Sequence, residues 1–257
     1  DHRDLHLSIR RQRQMCIRDR ICIGGAAFAQ STLGFGYAVL LVPVLTLFLD
    51  ARSAIALTQL IGLAVSVTSY VEYRPRTKIR SVSLIAITAV ITTPLGAWVL
   101  LQGSEQLILI CVGLGIGITA LGNYLRSQMS DTPHAEFWAF QVTAGFFSGL
   151  LRGSVSMPGP PVIIYQHWIG GGAENIRSRM FAYMLAMAVP TTLLLLIMGV
   201  FTAQTLIYAI PGVVAVIIGN YISQRVRPHM SESLFKFCSM LLLLVSASAL
   251  IVRSITL

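Results

Sequence analysis

Charge is scarce in this chain. Only 11% of its 257 residues are Asp, Glu, Lys or Arg, against roughly 25% in soluble domains. Acids are scarcest. The ten are Asp1, Asp4, Asp19, Asp50, Glu72, Glu105, Asp131, Glu136, Glu174 and Glu232, and none falls in the middle of an apolar segment. That excludes an intramembrane carboxylate of the kind that marks cation pumps and proton relays. It also excludes an Asp-rich helix face able to hold Mg²⁺ for a prenyl or phosphoryl transferase. The five histidines (His2, His6, His134, His167, His229) lie near the N-terminus or near segment ends. No Ser/His/Asp set, HExxH or glycine-rich phosphate loop stands in a suitable setting. Four cysteines, Cys16, Cys22, Cys111 and Cys238, form no CxxC or Cys/His spacing, so neither a metal site nor a disulfide is expected. No enzyme and no cofactor is implied.

Apolar residues are abundant. They make up 55% of the chain and fall into the blocks 21–49, 53–72, 81–101, 105–125, 137–169, 180–200, 203–223 and 233–252. Most are about 20 residues long, the length of a helix crossing a hydrocarbon core of roughly 30 Å. The fold class is therefore an all-α, polytopic membrane protein of about eight hydrophobic segments. The blocks 21–49 and 137–169 are too long for one crossing, since at 1.5 Å per residue each would reach over roughly 40 Å. Each is read as two half-helices around a break.

The breaks carry the polar groups. GLLRGSVSMPGPPVIIY (149–165) sets one arginine, two serines, three glycines and three prolines within apolar sequence. QSTLGFGY (30–37) interrupts the earlier long block in the same way. Backbone freed by Pro and Gly persists in lipid only where protein or a water-filled cavity receives it, and interrupted segments at matching positions point to a transporter's solute site. An offset of 123 residues pairs Ser31 with Ser154, Gly36 with Gly159 and Gly96 with Gly219; at 127 residues, 107–126 lies against 234–253. We read a tandem duplication of roughly 125 residues. Residues 21–126 form the first repeat and 137–253 the second, together one transport domain.

The formal charge of +9 comes with a distribution that argues against nucleic acid. Six of the 19 basic residues lie in 1–20 and most others in short loops, a pattern that sets membrane orientation. Residues 1–20 are polar and basic, and RRQRQMCIRDR reads like a translated sequencing adapter. We set them aside as a non-native arm; a cytoplasmic basic arm is the alternative.

One charge lies deep. Arg152 precedes Gly159 by seven residues inside the second break, and a guanidinium at that depth costs at least ~2.5 kcal/mol. With no carboxylate available, an anionic ligand is the natural partner; a structural arginine on freed carbonyls is the alternative. Ser31, Thr32, Ser154 and Ser156 can donate to oxyanions, helped by the positive end of a half-helix. Gly34, Gly36, Gly153, Gly159 and Pro160 would shape the break, and Tyr37 and Tyr165 could line it. Ordinary helix packing remains the alternative for each. Thr58, Gln59, Gly96, Gly219 and Asn220 are weaker candidates, and Pro190 and Pro211 are read as kinks.

GFFSGLLRGSVSMPGPPVIIY, QSTLGFGYAVLLVPVL and AIALTQLIGLAVSV together resemble the sulfite exporter TauE/SafE family of membrane permeases. The resemblance covers nearly everything from residue 21 onward. It implies two homologous four-segment halves and a small sulfur-containing anion, such as sulfite or a sulfonate, as substrate. Export across the bacterial cytoplasmic membrane would follow. Two departures stand out: Ser156-Met157-Pro158-Gly159 replaces a denser glycine motif, and Arg152 stands where glycine is frequent. Uptake of another anion, an anion channel and a non-transporting scaffold remain alternatives. No homo-oligomer is indicated.

Loop charge predicts orientation. Arg74, Arg76, Lys78 and Arg80 place 73–80 inside, uncharged 102–104 goes outside, and 126–136 returns inside. Arg177 and Arg179 place the loop after 169 inside, uncharged 200–203 goes outside, and Arg225 and Arg227 bring the next loop inside. Both ends of 137–169 are then cytoplasmic, as in a re-entrant hairpin turning at 157–161. The halves would be inverted repeats; single-crossing broken helices in parallel repeats are the alternative.

Overall fold

In a computed structural model, the described residues are 22–31, 36–73, 82–128, 136–170 and 172–226, and no strand occurs among them. The first long block becomes α1 (22–31) and α2 (Tyr37–Thr46). The single-length blocks become α3 (Ala51–Tyr73), α4 (Ser83–Gln102) and α5 (Glu105–Gln128). The second long block becomes α6 (Trp138–Val155) and α7 (Gly159–Ile169), followed by α8 (Gly172–Ile197) and α9 (Ala203–Val226). Both long blocks are thus split, as their length requires. The 233–252 block and the 1–20 arm lie outside the described residues. Helices α3, α4, α8 and α9 contain stretches long and apolar enough to cross a membrane.

Local signals in the sequence set the helix ends. The Asp50 carboxylate accepts the Ser53 N–H at 2.9 Å to start α3, and the Ser104 hydroxyl accepts Leu107 N–H at 3.2 Å to start α5. Thr202 does the same for Thr205 N–H at 3.2 Å ahead of α9. These caps satisfy N–H groups that a helix start leaves orphaned. Gly199, at φ 72°, ends the turn after α8, where Val200 N–H reaches Leu195 O at 3.0 Å, the left-handed glycine stop. Pro43, Pro94, Pro190 and Pro211 lie inside α2, α4, α8 and α9. Within the helices, hydroxyls bond back to their own turn, as Thr58 does to Ala54 O at 2.8 Å and Thr93 to Ala89 O at 2.7 Å. Such bonds satisfy polar groups where no water is at hand.

Packing follows small residues. Gly145, Gly149 and Gly153 recur every fourth residue along α6 and face Ile85, Ala89, Thr92 and Thr93 of α4, while Gly96 of α4 faces Leu150 and Gly153. With no side chains between them the backbones meet, and Thr92 adds a hydroxyl bond to Phe146 O at 3.2 Å. Close approach of this kind drives helix association where lipid offers no hydrophobic gain. Helix α9 meets α1 likewise, through Gly219 against Gly24 and Ala27. Helix α3 touches α2, α5, α8 and α9. The opposite faces are apolar and exposed, with Ile87, Ile91, Leu95 and Trp98 on α4 and Ile207, Ile210, Val214 and Ile217 on α9. An apolar surface of that extent fits acyl chains rather than water.

Candidate functional site

The second break is a hairpin. Residues near the start of α6 lie beside residues near the end of α7: Gln141 Nε2 donates to Tyr165 Oη at 2.8 Å, and Phe140 meets the rings of Tyr165 and Trp168 at 5.3 and 6.1 Å. The chain therefore doubles back between Val155 and Gly159. Ser156 makes the turn at φ 60°, with its N–H on Arg152 O at 3.2 Å and Met157 N–H on Leu151 O at 3.1 Å. A non-glycine residue in the left-handed region is strained and needs support. Here the support comes from α3: Ser156 Oγ donates to Ile55 O at 3.2 Å. Prolines at the start of α7 preset its backbone and need no donor there. Further down the hairpin, the Ser148 hydroxyl joins Pro158 O to the Tyr183 hydroxyl of α8.

Arg152 lies one turn before the tip and is wholly buried. With the Gln59 amide oriented to satisfy its neighbours, its oxygen accepts from Arg152 Nε at 2.8 Å and Nη2 at 2.9 Å, and its nitrogen donates to Ser156 Oγ at 2.8 Å. This orientation is assigned from the hydrogen-bond network. Nε also approaches Thr191 Oγ1 on α8 at 3.3 Å. The Tyr37 hydroxyl faces the same guanidinium and donates to Thr58 O at 3.3 Å. It fits there because α3 has glycine at 62, where a Cβ would stand 1.8 Å from that oxygen. Helices α2, α3, α6 and α8 thus converge on one cation. No carboxylate pairs with it among the described residues, and its Nη1 has no hydrogen-bond partner. A buried cation with an unfilled donor is the electrostatic setting for an anion.

Of the residues expected at the site, Arg152, Ser156 and Tyr37 come together. Ser31 is buried at the end of α1, and Gly36 precedes α2 at φ 106°, a conformation that favours glycine. Gly159 is the first residue of α7, and the left-handed residue of that break is Ser156. Pro160 is buried beside it. Gly153 and Ser154 point elsewhere. Gly153 meets Thr93 and Ala97 of α4, and Ser154 Oγ bonds back to Leu150 O at 2.7 Å. Tyr165 sits at the base of the hairpin on Gln141, away from the tip. Thr32 and Gly34 lie outside the described residues.

Gln59 ranked low on sequence grounds and holds a central position; Thr191, Ser148 and Tyr183 gave no signal. A glutamine alone in the apolar stretch AIALTQLIGLAV was the available clue, because an amide at that depth needs polar partners.

No match was found among curated proteins or among solved structures. The profile of the sulfite exporter TauE/SafE family, a family of membrane transporters and not of enzymes, matches residues 21–250. With its apolar helices and broken segments, the chain belongs to the sulfite exporter TauE/SafE family.

Proposed function

We propose that this protein is a secondary transporter that carries small sulfur-containing oxyanions, such as sulfite or organosulfonates, outward across the cytoplasmic membrane. One observation carries the reading: Arg152 is fully buried, has no carboxylate partner among the described residues, and keeps Nη1 without a hydrogen bond. An anion entering there would gain a charge-assisted bond and offset the cost of burying the cation. Ser156 and Tyr37 stand within the same cluster, with their hydroxyls held on Ile55 O and Thr58 O. Family membership favours sulfur oxyanions within the broader class of small anions.

The two-repeat reading, 21–126 and 137–253, draws support from how the halves exchange partners. Helix α4 packs on α6 of the other half, and α9 packs on α1, with Gly96 and Gly219, the residues paired by the 123-residue offset, at the two contacts. Helices α3 and α9 touch, as do α8 and α4. A tip bounded by two broken segments would let one half rock against the other around a fixed site.

Flux into liposomes tests the function. Purified protein should give saturable counterflow of labelled sulfite, with thiosulfate, taurine and sulfoacetate as competitors that rank the class. Large unitary conductance would replace the carrier with a channel, and no flux of any anion would leave a scaffold.

Orientation has its own test. The antiparallel contact of α6 with α7 supports a re-entrant hairpin whose two ends share the cytoplasmic side. In a background free of other cysteines, Asn175→Cys and Gln224→Cys should be shielded from an impermeant external reagent, and Thr202→Cys labelled. All three positions are exposed. External labelling at 175 would reject the re-entrant hairpin.

A further inference from the structure

A guanidinium carries five N–H donors on a rigid plane, so what matters at Arg152 is which edge is used up. The side edge is taken: Nε and Nη2 both reach the Gln59 amide oxygen, at 2.8 and 2.9 Å. Nε has a second acceptor in Thr191 Oγ1 at 3.3 Å, whose own hydroxyl donates to Met187 O at 2.7 Å. Gln59 is itself held, because its amide nitrogen donates to Ser156 Oγ at 2.8 Å. That serine is anchored on Ile55 O at 3.2 Å. Rotating the guanidinium about its own bond would therefore break two charge-assisted contacts inside a fully buried site. The edge left over is the terminal one, where Nη1 has no partner, with the Tyr37 hydroxyl also facing the guanidinium. Two parallel N–H groups on that edge match an anion that offers two oxygens side by side.

We propose that Gln59 is a positioning residue that locks the Arg152 fork end-on, so that the site prefers anions presenting two oxygens on one edge over spherical anions of equal charge. This rests on the reading that Arg152 meets the transported anion. A halide gains the same Coulomb attraction from any orientation of the guanidinium, but it offers one centre to two parallel donors. An oxyanion gains the second aligned bond only while the plane is held. Gln59 thus acts through Arg152 and need not touch the substrate.

The probes are sulfite and bromide, read by displacement of labelled sulfite from the purified full-length protein. The quantity is the ratio of bromide to sulfite concentration needed for half-displacement. Gln59→Leu removes both contacts to the guanidinium by replacing the amide with an apolar side chain of similar bulk. The ratio should fall about tenfold, the order of one charge-assisted hydrogen bond, with the bromide concentration for half-displacement changing less than about twofold. A merely structural role would weaken both anions together; a parallel loss, or an unchanged ratio, overturns the proposal. Gln59→Glu decides if the leucine variant cannot be purified. A carboxylate of the same shape would pair with Arg152 and neutralise it, so sulfite binding should drop at least tenfold while elution and thermal stability hold. Wild-type sulfite binding by Gln59→Glu overturns the proposal. Arg152→Gln separates the two readings: wild-type transport there removes the anion site itself, whereas lost transport with an unchanged Gln59→Leu ratio removes only the positioning role.

Discussion

Arg152→Gln should abolish anion transport, by about two orders of magnitude or more, while expression and elution from a sizing column stay near wild type. Removing one partner of a buried charge-assisted pair costs roughly 2–5 kcal/mol, and each 1.4 kcal/mol is about tenfold in affinity. Stability should survive because the cation has no carboxylate partner among the described residues. Glutamine leaves no orphaned negative charge behind, and it can still bond to Gln59 or Thr191. Burying a cation is itself expensive, so the neutral variant should fold at least as well. Arg152→Lys should be intermediate, because an ammonium keeps the charge and loses the planar fork. Normal counterflow by the Gln variant would show that Arg152 is a structural residue held by Gln59 and Thr191.

Gly149→Val should have the largest effect on folding. A Cβ at Gly149 would stand 2.0 Å from Thr92 Oγ1 and 2.2 Å from Ala89 O. One of those atoms is helix backbone, so the clash cannot be relieved by turning a side chain. Helices α4 and α6 would have to separate along the contact that also holds Gly96, Gly145 and Gly153. Ordinary overpacking costs ~1–3 kcal/mol, and a displaced backbone contact along a whole helix pair should exceed it. The expected result is aggregated or absent protein in detergent, seen by fluorescence-detected size exclusion. Gly113→Val, on α5 where a Cβ meets nothing within 4 Å, is the control and should run as wild type. A monodisperse Gly149→Val protein would mean that the α4–α6 approach is looser than the structure has it.

These two residues lie in one stretch of sequence, and they show where sequence reading stops. Arg152 was legible because an arginine among apolar residues violates composition. Gly149 was visible as part of a motif, but its role was not. Its neighbours Gly153 and Ser154 read from sequence as part of the anion site, whereas in the structure Gly153 meets Thr93 and Ala97 of α4 and Ser154 Oγ bonds back to Leu150 O. In a soluble helix the polar face would show which side turns inward, because one side must meet water. In a membrane helix lipid tails are as apolar as a leucine side chain, so both faces read alike and the inward one leaves no pattern.

The sequence by itself determined the membrane, the breaks and the family. Segment length against bilayer thickness, the three prolines and one glycine at 157–161, and the motifs shared with the TauE/SafE family needed no coordinates, because each is a property of a local stretch. Loop charge pointed to a hairpin turning at 157–161 and left a single crossing open; only the tertiary structure decided that the chain doubles back, and it does so between Val155 and Gly159. It also decided that Gln59, 93 positions before Arg152 in the chain, holds two of its donors and leaves Nη1 without a partner. Hydrogen bonds between residues that far apart depend on how helices pack, and the local pattern of neither segment encodes that distance.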